Sequence, residues 1–196
     1  MVAHPEPSVH VVVPLKAFHR AKERLADELG DGERAALVER LAGQVVVACR
    51  PNRVTVACDD DAVERWANDL GAKVIRTDGL GLNGSVQRAV DALDHGVAVV
   101  VHGDLAAPDG LDELIDDLAD IVRTGGGVVL VPDRRDDGSN VVAVPVGSGF
   151  QFSYGAGSAR RHESEARRLH LPFERRRDER AAWDVDVPED LPGPAI

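Results

Sequence analysis

The chain has 196 residues, of which 43% are hydrophobic and 29% are charged, a composition typical of one globular domain with one core. Its 34 acidic residues outnumber 23 Lys and Arg, which gives a formal net charge of -11 at pH 7. This balance argues against a nucleic-acid partner, because binding to a phosphate backbone needs a basic surface.

The cysteines and the apolar segments favour an ordinary cytoplasmic protein. Cys49 and Cys58 stand in no metal-binding or disulfide pattern, so we expect both to be buried thiols. No apolar stretch is long enough to span a membrane, and the first ten residues lack the features of a signal peptide. We therefore expect no membrane partner. We predict a single domain over residues 1–196, frayed at about 1–8 and 192–196.

The first part of the chain alternates strands and helices. Apolar runs predict strands at 11–15, 53–58, 73–76 and 97–101. Helical spacing of apolar residues, with Asp31 as a cap of the first helix, predicts helices at 33–49, 60–70, 85–93 and 111–122. Such alternation is typical of a mostly parallel sheet with helices on both faces.

The pattern changes in the second part. Two apolar runs at 128–131 and 141–144, joined by a polar turn, predict strands that make the sheet partly antiparallel. A helix is predicted at 158–169, and a short last strand at 182–188 that runs into a helix start. We therefore predict an α/β fold with a mixed, mostly parallel sheet flanked by helices on both faces.

One carboxylate follows the most apolar strand directly, in the stretch His102-Gly103-Asp104-Leu105. Functional groups of α/β proteins gather at the carboxyl ends of such strands, so Asp104 is a candidate metal ligand. Asp184 and Asp186 lie two positions apart in the last predicted strand, and we expect one of them to join Asp104. A hard cation such as Mg²⁺ suits one or two carboxylates completed by phosphates and water, which points to phosphoryl or nucleotidyl transfer. A turn-capping role for Asp186 is the alternative.

Cations follow the first strand in an otherwise acidic chain, at Lys16, Arg20, Lys22 and Arg24. At the end of a parallel strand they are suited to hold a triphosphate and to stabilise the charge on leaving pyrophosphate. A solvated helix face is the alternative, but it fits Lys16 poorly because Lys16 comes straight off the strand.

Three glycines precede the third predicted helix, in the pattern Gly79-x-Gly81-x-x-Gly84. The spacing matches a dinucleotide-binding fingerprint, although the preceding strand is short and polar and Asp78 would repel a pyrophosphate. The same glycines would let the backbone approach a flat ligand, with Asn83 pairing to a base edge. A turn with a helix cap is a third interpretation.

Two further loops offer groups for an anion. Gly155-Ala156-Gly157-Ser158 leads into a helix, whose exposed N–H groups and dipole favour negative charge. Ser139 adds a hydroxyl in the polar turn. Together with the cations, these loops would serve a nucleotide and a phosphorylated acceptor. We interpret His102 as structural rather than as a base, and we place His162 on a helix surface.

Taken in chain order, these motifs are similar to those of one family. They are Val13-Pro14-Leu15-Lys16 with Lys22-x-Arg24-Leu25, Gly79-x-Gly81-Leu82-Asn83, His102-Gly103-Asp104-Leu105, Pro132-Asp133 to Gly138-Ser139-Asn140, Gly155-x-Gly157-Ser158 with Arg161-His162, and Asp184-x-Asp186-x-Pro188-Glu189-Asp190-Leu191. Over residues 11–191 the chain resembles the 2-phospho-L-lactate / phosphoenolpyruvate guanylyltransferase family of coenzyme F(420) biosynthesis.

The resemblance implies a GT-A-like nucleotidyltransferase fold and a reaction. GMP would pass from GTP to the phosphate of phosphoenolpyruvate or 2-phospho-L-lactate, with release of pyrophosphate. It implies Mg²⁺ at Asp104 and Asp186, and catalytic roles for Lys16 and Asp104. The implied nucleotide site comprises Lys16, Lys22, Arg24, Gly81, Leu82 and Asn83, and the implied phospho-acid site comprises Ser139, Gly155 and Ser158.

The chain departs from the family pattern at three places. Ser139 stands where Thr is usual, which keeps the hydroxyl and loses a methyl. Ala106 follows the Asp-Leu pair where Pro is usual, and Ala156 replaces the Pro of a Gly-Pro-Gly-Ser loop, which makes that loop less rigid.

Alternatives stay open for the function. Another GT-A-like nucleotidyltransferase with a different nucleotide or acceptor is one, and a nucleotide-binding module without catalysis is another. The acceptor also stays open, because the three-carbon phospho-acids share a phosphate and a carboxylate. A homodimer and a transient contact with the next enzyme of the pathway complete the partners that we consider.

Overall fold

The structure is a computed structural model that describes residues 8–190. Apart from Ser8, the ends predicted to be frayed lie outside the described residues. Within residues 8–190, no helix has the length and hydropathy needed to cross a membrane.

The described residues form seven strands, five α-helices and three 3-10 helices. The strands are β1 (Val9–Leu15), β2 (Arg53–Cys58), β3 (Lys73–Arg76), β4 (Val97–Val101), β5 (Val128–Pro132), β6 (Ser139–Pro145) and β7 (Phe173–Arg175). The α-helices are α1 (Asp31–Ala48), α2 (Asp61–Asp69), α3 (Gly81–Asp91), α4 (Leu111–Gly125) and α5 (Ser158–Arg168). The 3-10 helices are Phe18–Arg20, Glu23–Leu25 and Pro188–Asp190.

All seven strands join one sheet in the order β3-β2-β1-β4-β6-β5-β7. The first four strands are mutually parallel, β6 runs antiparallel to β4 and β5, and β7 is parallel to β5. The predicted mixed, mostly parallel sheet is therefore confirmed. From β1, the chain first adds β2 and β3 on one side and then crosses to add β4 on the other side. At such a reversal of strand order, a crevice is expected outside the carboxyl ends of the two neighbouring strands, here β1 and β4. Lys16 follows β1 at this edge, and Asp104 follows β4.

Two apolar layers cover the sheet. Alternate residues of the central strands pack against α1, α2 and α4 on one face and against α3 and α5 on the other. The strand Val97–Val101 is buried on both faces, which explains its uninterrupted apolar sequence. Cys49 and Cys58 are buried in the first layer, and burial raises the pKa of the Cys49 thiol to about 12. The expectation of buried thiols is confirmed.

Several elements and one helix cap differ from the prediction. Helix α3 begins at Gly81 rather than Ser85, because the low helix propensity of Gly81 and Gly84 hides its first turn. Residues 182–188 form only an isolated bridge from Asp184 to Leu105, and the short strand β7 was not predicted. Asp31 is the first residue of α1 and not its cap; Gly30 occupies the cap position.

A third, smaller apolar cluster lies beside the crevice. Leu25 and Val185 are fully buried there against Leu37 and Leu41 of α1. Both lie within three residues of a charged candidate site residue, Lys22 in one case and Asp186 in the other. The cluster therefore fixes two distant segments of the chain at the same end of α1.

We expect Leu25→Ala to lower the free energy of unfolding by about 3 kcal/mol, because it removes a buried side chain and leaves a cavity in a small cluster. Urea denaturation measures the loss. Val47→Ala on the exposed face of α1 is the control, since Val47 is 50% exposed and its truncation should cost less than about 0.5 kcal/mol. Equal effects of the two substitutions would show that the cluster does not anchor the segment.

Candidate active site

Backbone pairing brings the loop after β4 against the segment near the end of the described chain. The Val185 N–H donates to the Asp104 carbonyl at 3.0 Å, and the Ala106 N–H donates to the Trp183 carbonyl at 2.8 Å. Gly103 makes the approach of this loop to β1 feasible, because a Cβ there would lie 2.5 Å from Leu15 Cδ2. Two carboxylates that are far apart in sequence therefore meet at the carboxyl end of β4.

Lys22 joins these two carboxylates. Its Nζ donates to Asp104 Oδ2 in a very short contact and to Asp186 Oδ1 at 2.7 Å. The Lys22 side chain is only 7% exposed, and its backbone φ of 58° lies in the left-handed region that is uncommon for a residue other than glycine. An ammonium held in a constrained position thus bridges the two carboxylates.

The charges of this triplet stabilise one another. Burial alone would lower the pKa of Lys22, but attraction to Asp104 and Asp186 outweighs it and raises that pKa. Burial likewise opposes ionisation of Asp186, yet the Lys22 ammonium holds the Asp186 pKa below its usual value. Lys22 and Asp186 therefore carry charge at neutral pH.

The structure distinguishes Asp184 from Asp186. Asp184 accepts a hydrogen bond from Asn140 Nδ2 at 3.3 Å, and burial, followed by repulsion from Asp104, raises its pKa. Asp186 instead shares Lys22 with Asp104. The capping role considered for Asp186 belongs to Asp190, whose Oδ2 accepts from the N–H groups of Asp186 and Val187 at 2.8 and 2.9 Å. The Asp186 carboxylate is left to face the site.

The carboxylate pair fits a divalent cation. Asp104 Oδ1 is buried without a hydrogen-bond partner among the described residues, and carboxylate oxygens are preferred ligands of hard divalent ions. No group of three or more His, Cys, Asp and Glu side chains suited to a metal occurs within residues 8–190. Such an ion would take two carboxylates from the chain and its remaining ligands from water or phosphate.

A cavity of about 310 Å³ opens at the carboxyl ends of β1 and β2. Lys16 and Arg20 line it on one side, and Gly81, Leu82 and Ser85 of α3 line it on the other. The first turn of α3 has no side-chain cap, so its N–H groups and the positive end of its dipole are available to an anion. Three of the six predicted nucleotide residues, Lys16, Gly81 and Leu82, thus line one cavity.

Asn83 and Arg24 do not line this cavity. Asn83 Oδ1 accepts the Tyr154 N–H at 2.6 Å, which ties the first turn of α3 to the loop before α5. Arg24 is exposed and acts on the site through its charge, which helps to lower the pKa of Asp186.

Tyr154 is buried between the rings of His102 and His162, whose centroids each lie 4.9 Å from the centroid of the Tyr154 ring. Burial raises the pKa of the Tyr154 hydroxyl.

The predicted phospho-acid residues lie around the start of α5. Ser139 and Ser158 are buried, with their Oγ atoms 3.0 Å apart, whereas Gly155 is exposed. Asp137 already occupies the start of this helix, because its Oδ2 accepts the Gly157 N–H at 2.7 Å. Asn140, the neighbour of Ser139 on β6, accepts the His102 N–H and donates to Asp184, so β6 contacts the segments that carry Asp104 and Asp186.

The placement of His162 on a helix surface is wrong. His162 is fully buried, and its Nδ1 lies 3.0 Å from Ser139 Oγ. The helical spacing from Ala159 to His162 to Ala166 was the available signal, because residues separated by three and four positions share one face and both alanines belong to the core. A polar side chain on that face was assigned to solvent when it in fact bonds to a buried hydroxyl.

Two solved structures share this architecture. A protein of Desulfovibrio desulfuricans G20 described as a nucleotide-diphospho-sugar transferase superposes with a TM-score of 0.71 at 18% identity, over 91% of this chain and 82% of its own. Glucosyl-3-phosphoglycerate synthase from Mycobacterium tuberculosis, solved with Mn²⁺, UDP and glucosyl-3-phosphoglycerate, gives 0.61 at 16% identity, over 87% and 70%. The fold is therefore that of GT-A-like nucleotide-dependent transferases.

Residues 9–193 match the family described as "Guanylyl transferase CofC like", and the chain belongs to this family. It is 34% identical to the phosphoenolpyruvate guanylyltransferase of Sphaerobacter thermophilus, over 92% of this chain and 89% of that protein. It is 35% identical to the 3-phospho-D-glycerate guanylyltransferase of Phenylobacterium zucineum, over 87% and 82%. The chain is therefore a guanylyltransferase, and the resemblance seen in the sequence is confirmed.

We expect His162 to make the fold sensitive to acid. Burial, followed by the Arg161 charge and the neighbouring His102, lowers its pKa from 6.5 to about 4, so between these values the unfolded chain binds a proton that the folded chain does not. The contribution of His162 to the free energy of unfolding is therefore fully present above pH 6.5. It decreases as the pH falls towards 4, by about 3 kcal/mol in total.

Urea denaturation of the wild type and of His162→Asn between pH 7 and pH 4 isolates this contribution. The difference in stability between the two proteins should shrink as the pH falls, because Asn does not titrate. A difference that is constant across this range would contradict the prediction.

Proposed function

We propose that this enzyme transfers GMP from GTP to the phosphate of phosphoenolpyruvate in the cytoplasm, as a step of coenzyme F(420) biosynthesis. The observation that carries the proposal is the carboxylate pair of Asp104 and Asp186 at the same edge of the sheet as the cavity that Lys16 and α3 line. Family membership supports guanylyl transfer, and the name of the Sphaerobacter thermophilus relative supports phosphoenolpyruvate as the acceptor.

The groups around the cavity suit GTP. The exposed Lys16 ammonium and the uncapped first turn of α3 offer positive charge and N–H donors to the phosphates. Gly81, Leu82 and Asn83 are proposed to contact the guanine, and Lys22 and Arg24 to contact the nucleotide from the segment after β1. Electrostatic stabilisation of the leaving pyrophosphate by Lys16 is the main catalytic effect that we assign to a side chain.

The reaction needs no general base. An oxygen of the ionised acceptor phosphate forms a bond to the α-phosphorus of GTP, the bond from that phosphorus to the bridging oxygen breaks, and pyrophosphate leaves with the electron pair. Orientation of the two anions is then the principal requirement. His102 keeps its structural role, because it packs against Tyr154 and has no proton to remove from the acceptor. Ser139, Gly155 and Ser158 are proposed to hold the phospho-acid.

A divalent cation, Mg²⁺ by our proposal, would be held by Asp104 and Asp186. When bound it supplies positive charge that neutralises the triphosphate and makes the α-phosphorus more electrophilic. The buried and unpartnered Asp104 Oδ1 supports this assignment, and the Mn²⁺ in the structure of the Mycobacterium tuberculosis enzyme supports a divalent ion in this fold. Dimerisation and contact with the next enzyme remain proposals, which size measurements in solution would test.

Pyrophosphate release tests the proposed reaction. We expect release from GTP with phosphoenolpyruvate and Mg²⁺, and little from CTP or ATP. Asp104→Asn should lower kcat at least about 100-fold, because it removes a charge at the reacting phosphates. Asp109→Asn, an exposed carboxylate of the same loop, is the control and should keep full activity.

The acceptor is identified in the same assay by offering 2-phospho-L-lactate and 3-phosphoglycerate in parallel. The second of these is a specific alternative, because the Phenylobacterium zucineum relative is named for it. Absence of release with all three acids would disprove the proposed reaction. Preference for another nucleotide over GTP would show that the enzyme is a nucleotidyltransferase with a different nucleotide specificity.

Lys22 and the metal are proposed to compete for the same two carboxylates. We expect Lys22→Met to bind Mn²⁺ about tenfold more tightly than the wild type in the absence of nucleotide, because a positive charge beside the site is removed. Electron paramagnetic resonance of free Mn²⁺ measures this binding without any need for turnover. Asp104→Asn should abolish binding in both backgrounds.

Arg24→Met is the matched control, since it removes a positive charge two residues away that makes no contact with either carboxylate. Its effect on Mn²⁺ affinity should be about twofold or less. If Lys22→Met bound Mn²⁺ no better than the wild type, competition between Lys22 and the metal would be refuted.

A further inference from the structure

A buried polar chain connects the loop before α5 to the proposed phospho-acid site. It consists of the Ser153 N–H, His162, Ser139 and Ser158, and we call it the His162 network. The Ser153 N–H donates to His162 Nε2 at 2.9 Å, His162 Nδ1 lies 3.0 Å from Ser139 Oγ, and Ser158 Oγ donates to Ser139 Oγ at 3.0 Å. All three side chains are at most 2% exposed.

These contacts determine where the protons lie. Because His162 Nε2 accepts a hydrogen bond, the neutral ring carries its proton on Nδ1, which donates to Ser139 Oγ. Burial, with Arg161 and His102 nearby, lowers the pKa of His162 to about 4, so the ring is neutral at physiological pH. Phe150, Phe152 and Tyr154 pack against the imidazole and hold its orientation.

The contacts of His162 and Ser158 determine which hydrogen bond the Ser139 hydroxyl can still make. A hydroxyl has two acceptor lone pairs and one donor hydrogen. His162 and Ser158 fill both lone pairs of Ser139, and no described residue accepts its hydrogen. Ser139 is therefore restricted to donating. Phosphate and carboxylate oxygens only accept hydrogen bonds, so a hydroxyl that only donates matches them and has no favourable contact with a competing donor such as an ammonium.

We propose that His162 is a positioning residue that fixes the Ser139 hydroxyl as a hydrogen-bond donor to an anionic oxygen of the phospho-acid. The inference rests on the proposed function, in which Ser139 binds that substrate. His162 itself does not touch the reacting atoms; it acts through Ser139. A role in acceptor affinity follows, with no role in binding GTP.

Steady-state kinetics separate this role from a purely structural one. We expect His162→Leu to raise the KM for phosphoenolpyruvate about tenfold while the KM for GTP changes less than about twofold. His162→Asn should recover most of the affinity, because its amide N–H can replace the Nδ1 donor. Arg167→Leu on the exposed surface of α5 is the control and should change neither KM.

Equal rises in both KM values, or equal losses of affinity in the Leu and Asn variants, would overturn the inference in favour of a packing role.

A second measurement requires no variant. Nitrogen NMR shifts of the wild-type imidazole at pH 7 should show a neutral ring with the proton on Nδ1. A proton on Nε2, or a charged ring, would also overturn it.

The two measurements also separate this inference from the proposed function. If none of the phospho-acids reacts, the proposed function fails whatever the tautomer of His162. If the reaction proceeds and the tautomer is Nε2–H, only the positioning role fails.

Discussion

The contact of Lys22 with Asp104 and Asp186 is the interaction on which the rest of the site depends. Two carboxylates that meet at the carboxyl end of a buried strand repel each other and lose hydration, so the arrangement needs a positive charge between them. Lys22 supplies that charge from a segment near the start of the chain. Its neighbour Leu25 and the apolar Val185 beside Asp186 are buried in one small cluster against α1. Apolar packing therefore brings the segment of Lys22 close to the segment of Asp186.

The two helix N-termini near this triplet differ in a way that matches two substrates. The first turn of α3 has no side-chain cap and opens on the cavity beside Lys16. At the start of α5, by contrast, Asp137 already accepts the N–H groups of Gly157 and Ala159. An anion at α3 meets free N–H groups, while one near α5 relies more on side chains such as Ser139. The Asn83 contact to the Tyr154 N–H joins α3 to the loop before α5, so the fold determines the relative position of the two proposed substrate sites.

Local sequence patterns predicted most of the sheet, because the central strand β4 is an uninterrupted apolar run and the outer strands keep a shorter apolar pattern. The ranges 53–58, 73–76 and 97–101 agree with the structure. The failures have a common origin in tertiary contacts. The first turn of α3 contains two glycines and forms in spite of its low intrinsic propensity, and the segment 182–188 has strand-like alternation but makes only one bridge. His162 was misplaced because hydropathy assigns an imidazole to solvent, although here two hydrogen bonds satisfy it inside the core.

The sequence by itself determined the α/β class, the candidate metal carboxylate Asp104 after β4, the cationic segment after β1 and the family resemblance. These follow from periodicity, charge and motif order, which are local properties of the chain. Only the tertiary structure decided that Asp186 rather than Asp184 pairs with the same ammonium as Asp104, that this ammonium belongs to Lys22, and that buried His162 contacts Ser139. Those outcomes depend on which side chains meet across β4, β6 and α5. Such meetings arise from packing and register between segments up to 164 residues apart, which no local pattern encodes.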